Sequence, residues 1–142
     1  MQKSKFNSLI NEGFNHIPLS KEVVIDTATP LALYLKLANN PYSYFLESVQ
    51  GGEKWGRYSF IGLAAETVIK VYNYEVQVEK NGKLIHEKLV EDPLAWIEEY
   101  QNQFKVPQLD SLPDFNGGLV GYFGYEIVRY IEPKLAHINK TD

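Results

Sequence analysis

Two adjacent side chains, Glu47 and Ser48, carry the most suggestive chemistry in this chain. They lie between Leu46 and Val49 in an aromatic and aliphatic run, residues 44–49, of the kind that forms a buried strand. A carboxylate and a hydroxyl placed there need partners, because an unpaired buried polar group costs about 1–3 kcal/mol. Ser59 or Arg57 on a returning strand would supply one, and so would a small polar ligand. Spacing alone leaves both open.

The other residues with catalytic potential fail on spacing. His16, His86 and His137 are dispersed, and no H-E-x-x-H places two of them on one helix face. Ser48 and Ser59 lack the G-x-S-x-G elbow that exposes a nucleophile. Glu98 and Glu99 fall on the wet side of a predicted helix, and Asp110 and Asp114 flank prolines, where turn formation explains them. Gly118, Gly121 and Gly124 do not follow G-x-G-x-x-G, and no Lys-Ser/Thr pair follows them, so a phosphate loop is not read here. In a strand such glycines more often permit a bend or the close approach of another backbone. No self-contained active site is legible.

The elements that would position Glu47 and Ser48 form a hairpin. Runs 44–49 and 57–61 flank Gly51-Gly52-Glu53-Lys54-Trp55-Gly56, whose glycines supply the backbone freedom of a strand return. Before it, residues 4–13 read as a helix with a Phe6, Leu9, Ile10 stripe and a stop at Gly13, and 21–25 as a brief strand. Thr29 caps and Pro30 opens a second helix, with Leu31, Tyr34, Leu35 and Ala38 as its packing face. After the hairpin, 66–72 and 74–80 are predicted strands with a kink at Asn73, and Val76 and Val78 alternate with Glu75, Gln77 and Glu79. Asn81-Gly82 predicts a type I′ turn into strand 83–89, whose charges imply one solvated face. Asp92-Pro93 opens a third helix, residues 117–125 read as a strand, and 126–132 as a short helix before Pro133.

Bulk properties bound the function. A chain of 142 residues is expected to form one domain burying about 68–70% of its unfolded surface. Seven Phe, ten Tyr and two Trp suit sheet surfaces. A net charge of −4 with scattered basic residues argues against a nucleic-acid partner. With no cysteine there is neither a disulfide framework nor a thiolate site. No run approaches a membrane span and the first residues lack a signal-peptide core, so a cytoplasmic location is expected, with no membrane partner.

Three segments taken together resemble a known family. Phe45-Leu-Glu-Ser48, then Gly56-Arg-Tyr-Ser-Phe-Ile-Gly62, then Gly117-Gly-Leu-Val-Gly-Tyr-Phe-Gly-Tyr125 with Val128-Arg129 and Glu132, are similar to the N-terminal portion of anthranilate synthase component I. The resemblance covers residues 20–133, with Phe45 replacing a usual Leu. It implies an α+β fold, a mainly antiparallel twisted sheet with a few packing helices, in which the Leu-Glu-Ser strand contributes to a regulatory tryptophan site. Consecutive strand residues face opposite sides, so the Ser48 hydroxyl is expected to face the ligand while Glu47 offers backbone groups or a charge at the rim. Val49, Lys54 from the connector, and Arg57 and Tyr58 from the start of the second run would shape the pocket. The resemblance further implies a full-length parent converting chorismate and glutamine-derived ammonia to anthranilate and pyruvate. Mg²⁺ would be bound in a catalytic portion absent from these 142 residues, and a glutamine amidotransferase subunit, component II, would be the partner. The fragment would then be inactive alone, carry no catalytic or metal residue, and expose apolar surface where the catalytic portion docks. Aminodeoxychorismate synthase component I and a free-standing α+β ligand-binding module are the alternatives.

Overall fold

In the computed structural model, which describes residues 1–47, 58–113, 115–132 and 134–135, two compact units form, Met1–Glu22 with Val90–Asp142 and Val23–Leu89. In the first, α1 (Lys3–Asn11) buries Leu9 and ends where Gly13 adopts φ 92°. Helix α3 (Pro93–Asn102) starts where predicted. Asp92 Oδ1 accepts from the backbone N–H groups of Leu94 (2.9 Å) and Ala95 (3.0 Å), satisfying two donors that a helix start leaves free. Along α3 the rings of Trp96 and Tyr100 stack with centroids 5.3 Å apart, and Tyr100 meets Phe104 edge-on at 5.4 Å. Glu98 and Glu99 are exposed, as their position on the wet side requires. Asn15 ties the end of α1 to the exit of α3, donating to the Gln103 carbonyl (2.8 Å) and accepting from the Lys105 N–H (2.7 Å).

The second unit holds all the described strands. Helix α2 (Pro30–Leu37) is capped by Thr29, whose Oγ1 accepts from the Ala32 N–H at 3.2 Å. Its packed residues are Leu33 and Tyr34, with Ala38 buried at its end, whereas Leu31 and Leu35 are exposed. The packing face is therefore rotated from the stripe the sequence suggests, because the aromatic stack on Tyr34 described below orients the helix. Strands β1 (Tyr44–Glu47) and β2 (Ser59–Gly62) form one antiparallel ladder. Strands β3 (Thr67–Tyr72), β4 (Glu75–Lys80) and β5 (Lys83–Leu89) form another, in that order. The chain is thus α+β with antiparallel sheets, arranged among the described residues as two ladders.

Turn chemistry explains the three-stranded ladder. Tyr72 pairs with Glu75, so Asn73-Tyr74 is a two-residue hairpin loop with Asn73 at φ 55°, a full reversal where the sequence suggested only a kink. Asn81 and Gly82 have φ 51° and 72° between paired Lys80 and Lys83, as a type I′ turn requires. A Cβ at Gly82 would meet nothing within 4 Å, so the only penalty for a side chain there is backbone strain. Gly82→Val is expected to lower the unfolding free energy by about 1–2 kcal/mol. Urea denaturation checks this, and a change within error would show that the turn tolerates negative φ.

Val76 and Val78 are buried on the middle strand, with Val71 and Ile69 opposite them in register on β3. The other face of the ladder is polar. Lys70 Nζ meets Glu79 Oε1 at 2.6 Å, and the Gln77 amide donates to Glu75 (2.6 Å) and Glu87 (2.7 Å). All seven residues of β5 are exposed, not one face alone. A register shift between Val78 and Glu79 breaks its pairing midway, a device that blunts an edge strand.

Two expected strands are absent. Residues 21–25 carry no regular structure, and neither do 117–124, which lead instead into a 3-10 turn (Tyr125–Ile127) and α4 (Val128–Ile131). Gly117 and Gly118 at φ 148° and 131° leave the strand region at the entry to the second segment. Leu119, Val120, Tyr122 and Phe123 are exposed, and neither segment has a ladder partner among the described residues. A strand is defined by its pairing, so apolar pattern alone does not make one. The same exposure corrects the expected core. Among the described residues the buried hydrophobic side chains are Leu9, Ala38, Val76 and Val78, far short of what burying about 68–70% of the unfolded surface would require.

Candidate functional site

The β1–β2 ladder places the residues in question. Tyr44 pairs with Gly62, Phe45 with Ile61, Leu46 with Phe60 and Glu47 with Ser59. At its inner end the Tyr44 ring lies over Gly62 so closely that a Cβ there would sit 2.0 Å from Tyr44 Cε1. A side chain at Gly62 would have to displace the Tyr44 ring from this position. Phe45 stacks on Tyr34 of α2 with centroids 5.6 Å apart and planes at 22°, and the Tyr34 hydroxyl lies 3.3 Å from Ser43 Oγ. These contacts seat the ladder on α2.

At the outer end Ser59 Oγ donates to Glu47 Oε1 at 3.3 Å, directly across the ladder. Of the two kinds of partner left open by spacing, Glu47 therefore has the cross-strand one. Leu46 and Glu47 are exposed rather than buried, so the desolvation penalty that makes partners obligatory is not incurred here. Tyr58 is exposed and stacks on Phe60, with centroids 6.3 Å apart. Ser48, Val49, Lys54 and Arg57, together with the glycine-rich connector, lie outside the described residues. Of the candidate site residues, those described are Glu47, at the end of β1, and Tyr58, just before β2.

A second cluster, not singled out by sequence reasoning, lies just before β1. The Ser43 N–H donates to the Asn40 carbonyl at 3.2 Å, closing a turn whose central residues are Pro41 and Tyr42. Tyr42 has φ 60°, the third-position geometry of a type II turn, where Gly or Asn is usual. Its carbonyl accepts from the Ala65 N–H at 3.0 Å, and the Lys70 ammonium lies 5.5 Å from its ring centroid. No local signal in the sequence foretells the contact with Lys70, 28 positions on.

No group of three or more His, Asp or Glu residues suited to a metal ion occurs among the described residues. A hollow of about 90 Å³ lined by Met1, Lys5, Pro18, Ser20, Leu109, Ser111 and Leu112 belongs to the other unit and contains no candidate residue. None of the helices described is long and apolar enough to cross a membrane.

Comparison with known proteins decides the family. The chain is 53% identical over 136 residues to anthranilate synthase component 1 of Pseudomonas putida, covering 96% of the chain and 28% of that protein. It is 52% identical over 142 residues to the Pseudomonas aeruginosa protein of the same name, covering 100% of the chain and 29% of the relative. The chain belongs to the anthranilate synthase component 1 family. It matches the N-terminal part of those proteins. The likeness extends to the Aquifex aeolicus anthranilate synthase component 1, 40% identical over 125 residues, covering 87% of the chain and 25% of that relative. The chain spans less than a third of the length of these anthranilate synthase components. No family model and no solved structure matches it.

Proposed function

We propose that this chain is the regulatory N-terminal portion of an anthranilate synthase component 1 that answers to tryptophan at the outer end of β1. Identity of 52% across the whole chain carries the enzyme assignment. In this reading the full-length protein converts chorismate and ammonia, delivered by a glutamine amidotransferase component, to anthranilate and pyruvate. Mg²⁺ is held by residues of the catalytic portion, outside these 142. Chemistry is likewise supplied outside this chain, in which no nucleophile–base pair was legible.

The geometry supports a division of labour at the effector site. One oxygen of the Glu47 carboxylate accepts from Ser59, and the Ser48 hydroxyl is the group assigned to the amino acid's charged backbone. Glu47 is assigned to the rim, and Val49, Lys54, Arg57 and Tyr58 to the shape of the pocket. A ligand bound there inhibits only if it prefers one of two global states, because equal affinity shifts nothing.

The test is an assay of the full-length protein with chorismate, Mg²⁺ and ammonium. Formation of fluorescent anthranilate that tryptophan suppresses is the expected outcome. Formation of aminodeoxychorismate instead, or no turnover of chorismate, would overturn the assignment. Residues 1–142 alone are expected to give no product.

A further inference from the structure

We infer that Tyr42 and Lys70 form a latch that positions the effector strand against the three-stranded sheet and so sets how strongly tryptophan inhibits. This rests on the function proposed above and names a means of its regulation.

Tyrosine is an unexpected choice at position 42. At φ 60° a bulky side chain crowds its own backbone, and glycine would relieve that crowding. Burial does not explain the residue either, since Tyr42 is 54% exposed. What the side chain does reach is the Lys70 ammonium, at a distance within the range of cation–π attraction. Lys70 also meets Glu79 at 2.6 Å, with both side chains about three-quarters covered. The Glu79 carboxylate first, and the Tyr42 phenol second, hold the Lys70 ammonium well above the usual lysine range. A raised lysine contributes its stability below the ordinary lysine value and loses it only in strongly alkaline solution, so the latch is charged throughout the neutral range.

Backbone contacts lock the strained turn to the same seam. The Asn40 carbonyl accepts from the Ser43 N–H and from the Ser43 hydroxyl at 2.7 Å, and the Tyr42 carbonyl accepts from Ala65 between β2 and β3. Strain of this kind persists where surrounding contacts over-determine it, and it accompanies switch regions. Strand β1 begins two residues later and reaches Glu47 about 10 Å further along. Tyr42 and Lys70 therefore join the turn that feeds β1 to the sheet that Lys70 belongs to. They are positioning residues, remote from the reacting atoms.

The experiment uses the full-length protein with Tyr42→Gly, which relaxes the turn and removes the ring, and Lys70→Met, which removes the cation and keeps the stem. Each is expected to raise the tryptophan concentration for half-inhibition about threefold to tenfold, the range of one partly shielded cation–π contact. kcat and the KM for chorismate should be unchanged, the double variant no worse than either single one, and Lys70→Arg close to the parent. A merely structural role would lower the melting temperature without moving the half-inhibition value, and that result overturns the latch, as do additive effects in the double variant. If Tyr42→Gly does not fold, Lys70→Met against Lys70→Arg decides alone. A parent enzyme indifferent to tryptophan would remove the effector reading itself. The latch then stands on amide exchange at Tyr44–Glu47, expected to quicken in both variants, and equal exchange in parent and variants would sink it.

Discussion

Ser48→Phe in the full-length enzyme is expected to abolish most tryptophan inhibition while leaving basal turnover intact. The effect should be large because the substitution acts twice. It removes a hydroxyl able to bond the ligand's charged groups, an interaction worth about 1.5–3 kcal/mol, or roughly tenfold to a hundredfold in affinity. It also fills with a ring the space that an indole would need. The measurement is the half-inhibitory tryptophan concentration at fixed chorismate, with kcat and KM recorded in its absence. Unchanged inhibition with normal turnover would take Ser48 out of the site. Ser48→Ala separates the two contributions, because it removes the hydroxyl without adding bulk and should fall between parent and Ser48→Phe.

Replacing Val76 and Val78 together by Ala is expected to have the largest effect on stability. Each change removes two methyl-sized groups at about 0.8 kcal/mol apiece, with a further cost for whatever cavity remains. The sum is about 3–5 kcal/mol, close to the lower end of the total stability of a small domain. Within Val23–Leu89 the only other buried hydrophobic residue among those described is Ala38, so there is little else to hold the three-stranded ladder. Chain 1–142 carrying both changes should lose amide protection across β3–β5 and show no cooperative urea transition. A midpoint unchanged from the parent would mean that the ladder's stability resides in the polar face, in Lys70–Glu79 and the Gln77 bonds, and not in the valines.

The amino-acid sequence by itself determined what local chemistry decides. Thr29-Pro30 and Asp92-Pro93 start helices because a side-chain oxygen satisfies free backbone donors, and Asn81-Gly82 turns because those two residues tolerate positive φ. The alternation at Val76 and Val78 named the buried side of β4, and the strings around Glu47 and Gly117 named the family. None of these needs information from elsewhere in the chain. Tertiary structure decided whatever depends on a distant partner. Residues 117–124 have the composition of a strand but no ladder to join among the described residues, so composition misled there. The exposed β5 and the rotated face of α2 were hidden for the same reason, since each depends on what packs against the element and not on the element's own pattern. At the candidate site the chain order supplied Glu47 and Ser59 as possible partners, and only register made them neighbours. Tyr42 over Lys70 lay further out of reach. A tyrosine in the turn before β1 takes a backbone conformation that glycine favours and meets a lysine of β3, and no local rule links the two.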